Sequence, residues 1–399
     1  MSNLNTSVEA DVATSQSVDT STRNDNAVDY DLHGIVGVRL LDATPADARV
    51  VDRQLGPIRR SLARQPDIVI RFVEELPIRG TVRLLGLDEA GYTDDAFLVL
   101  RGKHKTRARV QIRFEQVGGR CEITCESGLK AVPLLIPILN LTALANGALP
   151  LHASAFEYEG TGIMTTGWSK GGKTEALLAF MARGARYIGD EWVYLHPGVS
   201  PQGRTVTQMG GIPEPIRMWD WHLEQLPQFR SYVKTADRIR LQLLRVAVAT
   251  ERLISSAPGS HLPPAQILRR LSPVLKRQAH VDMHPEKLFG PLGSAAGTLD
   301  KVFFVGSHES SAVTAQPIET MEIAKRMVHS LQFERLPFMA WYHTFCFAFP
   351  HARNTLLDDV EELQRQRLVE LLYRADAYRL DHPYPVGFET LFETIRAQL

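Results

Sequence analysis

One eight-residue segment restricts the fold of this chain more than any other feature. It follows the pattern G-x-x-x-x-G-K-[ST] and consists of Gly167, Trp168, Ser169, Lys170, Gly171, Gly172, Lys173 and Thr174. A run of apolar and β-branched residues at 161–166 ends directly before it, and strong helix-forming sequence begins at Thr174. The pattern therefore predicts a phosphate-binding loop between a strand and a helix, as in an α/β core.

The chemistry expected of this loop is the binding of nucleotide phosphates. Its glycines let backbone N–H groups approach phosphate oxygens, and the helix amino terminus adds partial positive charge. We expect Lys173 to reach the β- and γ-phosphates of ATP, and Thr174 to hold Mg²⁺. Trp168 has two interpretations: it stacks on or shields the phosphates, or it packs against the rest of the domain. A chance match to the pattern is the alternative, against which the flanking elements argue.

Charge and composition argue against several other classes of protein. The 399 residues include 45 Lys and Arg against 45 Asp and Glu, so no basic excess indicates a nucleic-acid partner. The chain shows neither a signal-peptide pattern nor a run of about 18 apolar residues, so no membrane partner is expected. Its three cysteines form neither a disulfide framework nor a zinc ligand set. A cytoplasmic location is therefore expected.

Composition along the chain predicts three regions. Residues 1–29 are rich in Ser, Thr, Asn and Asp and are predicted to form a disordered tail. Residues 30–130 are predicted to form a β-rich amino-terminal domain. Residues 131–399 are predicted to form the phosphate-loop domain, with a helical insertion at about 221–290. The strands predicted in the amino-terminal domain lie at 35–40, 67–73, 96–100, 108–114 and 121–125.

Four further expectations concern the packing of the chain. Cys121 and Cys125 stand four residues apart in one predicted strand and share a face, which favours paired core cysteines over a metal or redox site. Residues 133–146 predict a helix that links the two halves, and residues 299–305 predict a core strand. The remainder of the chain is predicted to be helical, with an amphipathic helix at 358–377.

An acidic pair follows the first strand after the loop helix. Residues 186–189 predict this strand, and Asp190 and Glu191 stand at its carboxyl end. About ten helical residues span roughly 15 Å, so the chain can return parallel to the loop strand and bring both carboxylates beside the loop. Asp190 is therefore a candidate metal ligand or general base. The alternative is that both are solvated residues at a strand end.

A histidine is brought to the loop by a predicted hairpin. The segment Glu-Gly-Thr-Gly at residues 159–162 predicts its turn. With Gly160 and Thr161 as the central turn residues, His152 lies opposite Ser169 and borders the phosphates. A purely structural role is the alternative for this histidine.

Several of these features together resemble the carboxyl-terminal domain of HPr kinase/phosphorylase and the wider HPr-kinase-like family. The resemblance covers residues 151–192, with a Leu-His pair, the loop, an Arg-Gly turn and an Asp-Glu pair. A looser similarity covers residues 213–219, which are similar to a Pro-x-x-x-Arg-x-Trp segment of small kinases related to HPr kinase. The glycine-rich signature that follows the acidic pair in HPr kinases is absent from this sequence.

The resemblance implies a core related to phosphoenolpyruvate carboxykinases, the use of ATP and Mg²⁺, and phosphate transfer to a hydroxyl group, usually that of a serine. Lys173 and Thr174 match the phosphate-binding lysine and its hydroxyl neighbour. Asp190 matches the catalytic base, Glu191 stands where a second aspartate is commoner, and His152 matches the histidine near the transferred phosphate.

Two more residues are carried over on the looser similarity. Glu214 is the candidate for the metal-binding carboxylate of the missing signature, and Arg217 is the candidate for its cation. The expected metal ligands are therefore drawn from Thr174, Asp190, Glu191 and Glu214.

The sequence thus predicts an α/β, HPr-kinase-like, ATP-dependent kinase with a hydroxyl acceptor. A serine of a protein or peptide, free serine, and a sugar or other small hydroxyl compound stay open as acceptors, and a homo-oligomer stays open as well. One alternative is a P-loop ATPase or nucleotide-dependent switch without an acceptor. Another is a non-catalytic protein whose β-rich domain binds a peptide or glycan. A carboxykinase is disfavoured because the sequence lacks a recognisable carboxylate-binding arginine set.

Overall fold

The structure is a computed structural model that describes residues 27–56, 58–102, 106–256 and 278–399, without the side chains of residues 251–256. The described chain forms two large mixed sheets, one two-stranded sheet, and helices packed on them. This arrangement confirms the predicted α/β class. Most of the predicted tail lies outside the described residues, and the first strand begins at Val28. Among the described helices, none has both the length and the apolar character needed to span a bilayer.

The amino-terminal half is built on an eight-stranded sheet, ordered β1-β2-β3-β8-β7-β6-β5-β4. Its strands are β1 (Val28–Leu32), β2 (Val36–Leu41), β3 (Ile68–Val73), β4 (Arg83–Leu85), β5 (Ala90–Tyr92), β6 (Phe97–Arg101), β7 (Arg107–Ile112) and β8 (Cys121–Glu126). The helix α1 (Pro45–Leu55) connects β2 to β3, which run parallel. Cys121 and Cys125 are buried free thiols in β8, as expected of core residues.

The second half begins with the linking helix α2 (Leu135–Ala145), close to its predicted position. The strands that follow are β9 (Leu149–Tyr158), β10 (Thr161–Gly167), β11 (Arg186–Gly189), β12 (Trp192–Val199), β13 (Thr205–Gly211), β14 (Ile216–Trp219), β15 (His280–Met283), β16 (Ala296–Thr298), β17 (Lys301–Ser307), β18 (Thr314–Pro317) and β19 (Asp376–His382). The helices are α3 (Lys173–Met181), α4 (Asp220–Gln225), α5 (Thr235–Ser256), α6 (Pro285–Phe289), α7 (Thr320–Ala348), α8 (Thr355–Leu372) and α9 (Phe388–Arg396).

Three neighbouring strands of the second large sheet run parallel. β17 pairs with β10 on one side and with β19 on the other. Their carboxyl ends therefore meet at one edge of the sheet, where the loop after β10 leads into α3. On the other side of β10, β9 is antiparallel to it, and β11 is antiparallel to β9. β11 thus has the predicted direction, with β9 between it and β10.

The β9–β10 hairpin corrects the predicted register. Paired residue numbers add to 319, whereas a turn centred on Gly160 and Thr161 requires 321. The turn residues are Glu159 and Gly160, whose φ angles of 51° and 81° suit a turn with positive φ at both centres. The prediction that His152 lies opposite Ser169 is therefore wrong by two residues. Because side chains alternate with a period of two, the shift leaves every side chain on its predicted face.

The insertion predicted at about 221–290 is only partly helical. α4, α5 and a 3₁₀ turn at Pro227–Tyr232 fit the prediction. However, the chain then returns as β15, which pairs antiparallel with β14. The two strands form the base of the insertion. The sequence has a run of helix-breaking residues at 255–264, most of which lies outside the described residues.

The sequence predicts helices throughout the region after residue 305. This prediction is wrong at two places, where the chain forms β18 and β19. β18 and β19 pair with each other, and β19 also pairs with β17. The helix predicted at 358–377 corresponds to α8, which ends at Leu372. The sequence Asp-Ala-Tyr-Arg-Leu-Asp-His of β19 has weak strand character. Its strand form depends on partners on both sides, because pairing and packing override intrinsic preference.

The two halves of the chain share one hydrophobic core. The Phe114 ring, which follows β7, stacks on Phe345 of α7 at 5.3 Å and contacts Phe338 at 5.6 Å between centroids. Before α8, the buried Asn354 amide donates to the carbonyl groups of Phe114 and Val117, both at 2.8 Å. The amino-terminal half is thereby fixed against the two long helices of the second half.

Replacing Asn354 with alanine should lower the free energy of unfolding by about 2 to 4 kcal/mol, because two buried carbonyl groups each lose one donor and α8 loses its capping side chain. Urea denaturation followed by fluorescence and circular dichroism measures the change. Gln366→Ala, on the exposed face of the same helix, is the control and should change it by less than about 0.5 kcal/mol. Equal losses in the two variants would contradict the expectation.

Candidate functional site

The glycine-rich loop lies at the sheet edge where β10, β17 and β19 end. Gly172, directly before α3, has a φ of 105° and provides no capping side chain. Glycine favours this conformation, and the first-turn amides of α3 are left without a side-chain cap. A Cβ at this position would lie only 2.1 Å from Nε2 of His382. The loop therefore has the backbone form of an anion-binding helix terminus.

Lys173 is buried beneath the loop. Its Nζ donates to the carbonyl oxygen of Trp168 at 3.0 Å. Burial lowers the pKa of Lys173, and the charges of Glu191 and Asp190 oppose this effect. Its amine therefore stands at the start of the glycine-rich loop.

Asp190 is an enclosed carboxylate beside the first turn of α3. It accepts a hydrogen bond from the Ser154 hydroxyl, and Oγ1 of Thr174 lies 3.1 Å from its Oδ2. Burial raises the pKa of Asp190 to about 7, and the charge of Glu191 adds to this effect. The structure therefore brings Asp190 to the loop, and its burial does not fit a solvated strand end.

His152 is held between two carboxylates. Its Nε2 lies 2.9 Å from Oε2 of Glu191, and its Nδ1 lies 2.9 Å from Oε1 of Glu334. Burial alone would lower the pKa of His152, but the hydrogen bonds to Glu191 and Glu334 raise it to about 9. An ionised carboxylate only accepts hydrogen bonds, so both ring nitrogens carry hydrogen. His152 is therefore a cation in this arrangement.

Glu334 is a residue of the site that the sequence analysis missed. It stands inside α7, 182 residues after His152 in the chain. Only the packing of α7 against β10 brings it to the loop. No local motif marks it, because a single glutamate within a helix is most often a surface residue.

Arg217, on β14, lines a cleft beside the glycine-rich loop. The cleft has a volume of about 240 Å³ and is also lined by loop residues 169–174 and by Tyr384. Nε of Arg217 lies 3.4 Å from Oδ1 of Asp282 on β15. A larger cavity of about 930 Å³ lies between α1 and α6, but no loop residue lines it. The cleft at the loop is therefore the candidate site because of the residues that line it, although the other cavity has a larger volume.

Glu214 is not among the described residues that line this cleft. Tyr187 and Tyr194 have raised pKa values, mainly through burial, and the charge of Glu214 contributes to both shifts. The carboxylate thus acts on two buried phenols, one on β11 and one on β12. Its role as a metal ligand stays a prediction.

Trp168 forms part of the surface beside the loop. Its ring lies 4.9 Å from the ring of Phe333 on α7, and the two residues are 51% and 48% exposed. The ring contact agrees with the interpretation that Trp168 packs against the rest of the domain, while about half of the residue stays exposed beside the loop. The pair forms a half-exposed aromatic surface directly before Ser169 and Lys170.

A buried pair ties the insertion to the loop helix. Oε1 of Glu175 lies 3.1 Å from Nε2 of His222 on α4, and Nδ1 of His222 accepts from the Trp219 amide at 3.2 Å. Because Nδ1 accepts, Nε2 is the donor, and a neutral ring satisfies both bonds. The segment that carries Arg217 is thereby fixed to the first turn of α3.

The oxygen atoms around the loop fit as ligands of a Mg²⁺ ion that is shared between protein and phosphate groups. Such an ion usually takes one or two protein ligands and completes its shell with water and phosphate oxygens. The Thr174 hydroxyl and the Asp190 carboxylate supply a set of this kind, whereas Glu191 is engaged by His152. Within the ranges that the structure describes, no three His, Cys, Asp or Glu side chains are grouped to bind a metal.

Comparisons with known proteins identify no family for this chain. No family model matches it. No curated protein shows a significant match either. The similarity to HPr-kinase-like proteins therefore rests on the motifs at residues 151–192 and 213–219.

Asp190→Asn should change how stability depends on pH. The folded state raises the pKa of Asp190 from 3.8 to about 7, so it binds a proton that the unfolded chain releases, and stability falls as pH rises between these values. Asparagine can still accept from Ser154 and Thr174 but cannot ionise. At pH 8 without nucleotide or Mg²⁺, we expect the variant to be more stable by about 1 to 3 kcal/mol.

Urea unfolding at several values between pH 5 and pH 8 measures this difference. Asp359→Asn, an exposed position in α8, is the matched control and should show no such trend. If wild type and Asp190→Asn differ in free energy of unfolding by the same amount at every pH, burial does not raise the pKa of Asp190 into this range.

Proposed function

We propose that this protein is an ATP-dependent kinase of the HPr-kinase-like type, which transfers the γ-phosphate to a hydroxyl acceptor. The observation that carries the proposal is the contact between Thr174 of the loop and the buried Asp190. A carboxylate opposes the binding of phosphate groups unless a metal ion or proton offsets its charge. Its presence at a phosphate-binding loop therefore supports Mg²⁺-dependent phosphate transfer at this position.

The loop would bind the phosphates through the amides of residues 171–174 and through Lys173. Thr174, together with Asp190 or Glu214, would hold Mg²⁺, which neutralises phosphate charge when it is bound. Arg217 lines the same cleft and would stabilise charge on the transferred group.

Asp190 is the proposed acceptor of the proton from the attacking hydroxyl group. Without a bound metal ion, a pKa of about 7 suits a general base near neutral pH, so this role belongs to the arrangement in which Glu214 and not Asp190 holds Mg²⁺ with Thr174. His152 is unsuited to this step, because both its nitrogens already carry hydrogen in bonds to Glu191 and Glu334. The acceptor oxygen then bonds to the γ-phosphorus, the bond to the β-phosphate oxygen breaks, and ADP leaves. The His152 cation would stabilise the developing negative charge.

The acceptor is expected to carry an apolar group near its hydroxyl. The contact between Lys173 and the Trp168 carbonyl marks the start of the loop, where the γ-phosphate would lie. The half-exposed Trp168–Phe333 surface borders this position. Aromatic surface of this kind favours contact with apolar groups. A serine in a peptide with apolar neighbours therefore fits this surface better than free serine.

We place the proposed reaction in the cytoplasm.

The first test follows label from γ-labelled ATP in the presence of Mg²⁺ into proteins, small hydroxyl compounds and free phosphate. Wild type should label an acceptor, whereas Lys173→Ala and Asp190→Asn should lower the rate at least about 100-fold. Lys325→Ala, an exposed lysine of α7, should keep the wild-type rate. Release of free phosphate alone would favour an ATPase or switch, and no binding or consumption of ATP would reject the kinase proposal.

The second test uses the acceptor that the first test labels. Trp168→Ala should raise the KM for this acceptor about 10-fold and leave the KM for ATP within about twofold of wild type. Phe347→Ala, which removes another exposed ring of α7, is the control and should change neither. A raised KM for ATP alone would instead favour the interpretation that Trp168 shields the phosphates.

A further inference from the structure

The phosphate-binding loop rests on a buried histidine from the last strand of the sheet. His382 ends β19, is fully buried, and is separated from Gly171 by 211 residues in the chain. Its Nε2 lies 2.9 Å from the carbonyl oxygen of Gly171. A carbonyl oxygen only accepts hydrogen bonds, so His382 is the donor of this bond. The other ring nitrogen, Nδ1, faces the carbonyl oxygen of Pro383 at 2.7 Å, which also only accepts, so the two bonds form together when both ring nitrogens carry hydrogen.

This bond sets the orientation of one peptide group in the loop. In a trans peptide, the C=O of one residue and the N–H of the next point in opposite directions. Because the C=O of Gly171 points toward His382, the N–H of Gly172 points away from the histidine. Gly172 lines the cleft, whereas His382 is not among the described residues that do. The bond therefore leaves the amide of Gly172, a residue of the cleft, on the side away from the histidine.

The peptide between Gly171 and Gly172 is one that needs such a constraint. Glycine has few steric restrictions on its backbone angles, so a peptide flanked by two glycines rotates more easily than others. A rotated peptide would turn its C=O toward the phosphates and would lose the bond to His382. The close packing of the ring on Gly172, where a Cβ would lie 2.1 Å from Nε2, also holds this arrangement.

We propose that His382 is a positioning residue of the phosphate site. By holding the carbonyl group of Gly171, it keeps the amide of Gly172 directed at the phosphates. The inference rests on the proposed nucleotide-binding function. It gives the strand β19, which lies outside the region of sequence resemblance, a direct part in ligand affinity.

Two substitutions separate the hydrogen bond from the packing of the ring. His382→Gln places an amide donor near the position of Nε2, whereas His382→Met has similar length and no donor. Calorimetric titration with ADP and Mg²⁺, and separately with inorganic tripolyphosphate, measures Kd. We expect the methionine variant to bind both ligands at least about 10-fold more weakly, and the glutamine variant to stay within about threefold of wild type.

Thermal unfolding of each variant accompanies the titrations, so that loss of fold is recognised. Where His382→Met does not fold, His382→Asn replaces it, because the shorter amide does not reach Gly171. Equal affinity of the wild type and the variant without the donor would overturn the inference and leave the nucleotide function intact. Equal losses in the glutamine and methionine variants would also overturn it. Failure of the wild type to bind either ligand would overturn the proposed function together with this inference.

Discussion

Burial of the Asp190 carboxylate beside the first turn of α3 is the constraint on which the site depends. Enclosing an acidic group is costly unless hydrogen bonds or a proton offset the loss of water. The hydroxyl groups of Ser154 on β9 and Thr174 on α3 both donate to it. The two strands and the helix that meet at Asp190 must therefore keep their relative positions. A cost of this kind is typical of groups that an active site uses.

The sequence predicted the parts of the site that are local in the chain. Strand β10, the loop, α3 and β11 follow one another within residues 161–190, so strand direction and helix rise determine where Asp190 ends. The prediction of the β9–β10 hairpin register was wrong for an equally local reason. It depends on a left-handed conformation at Glu159, a residue type that gives no strong signal for it.

The remaining parts of the site come from chain segments that only tertiary packing brings to the loop. Glu334 lies in a helix whose sequence does not show which of its polar residues will be covered. His382 ends a strand with weak strand character, which forms because β17 and β18 pair with it. Parallel pairing of β10, β17 and β19 then places His382 at the edge where the loop begins. Its contact with Gly171 could not be derived from sequence spacing.

The helix α7 connects the site to the amino-terminal half of the molecule. Glu334 on this helix binds His152, while Phe338, one turn later, packs on Phe114 of the amino-terminal half. Residues four apart lie on the same side of a helix, so the two contacts constrain one segment together. The position of Glu334, and with it the orientation of the His152 ring, therefore depends on the packing of the amino-terminal half. The amino-terminal half therefore supports the geometry of the site, although none of its described residues lines the cleft at the loop.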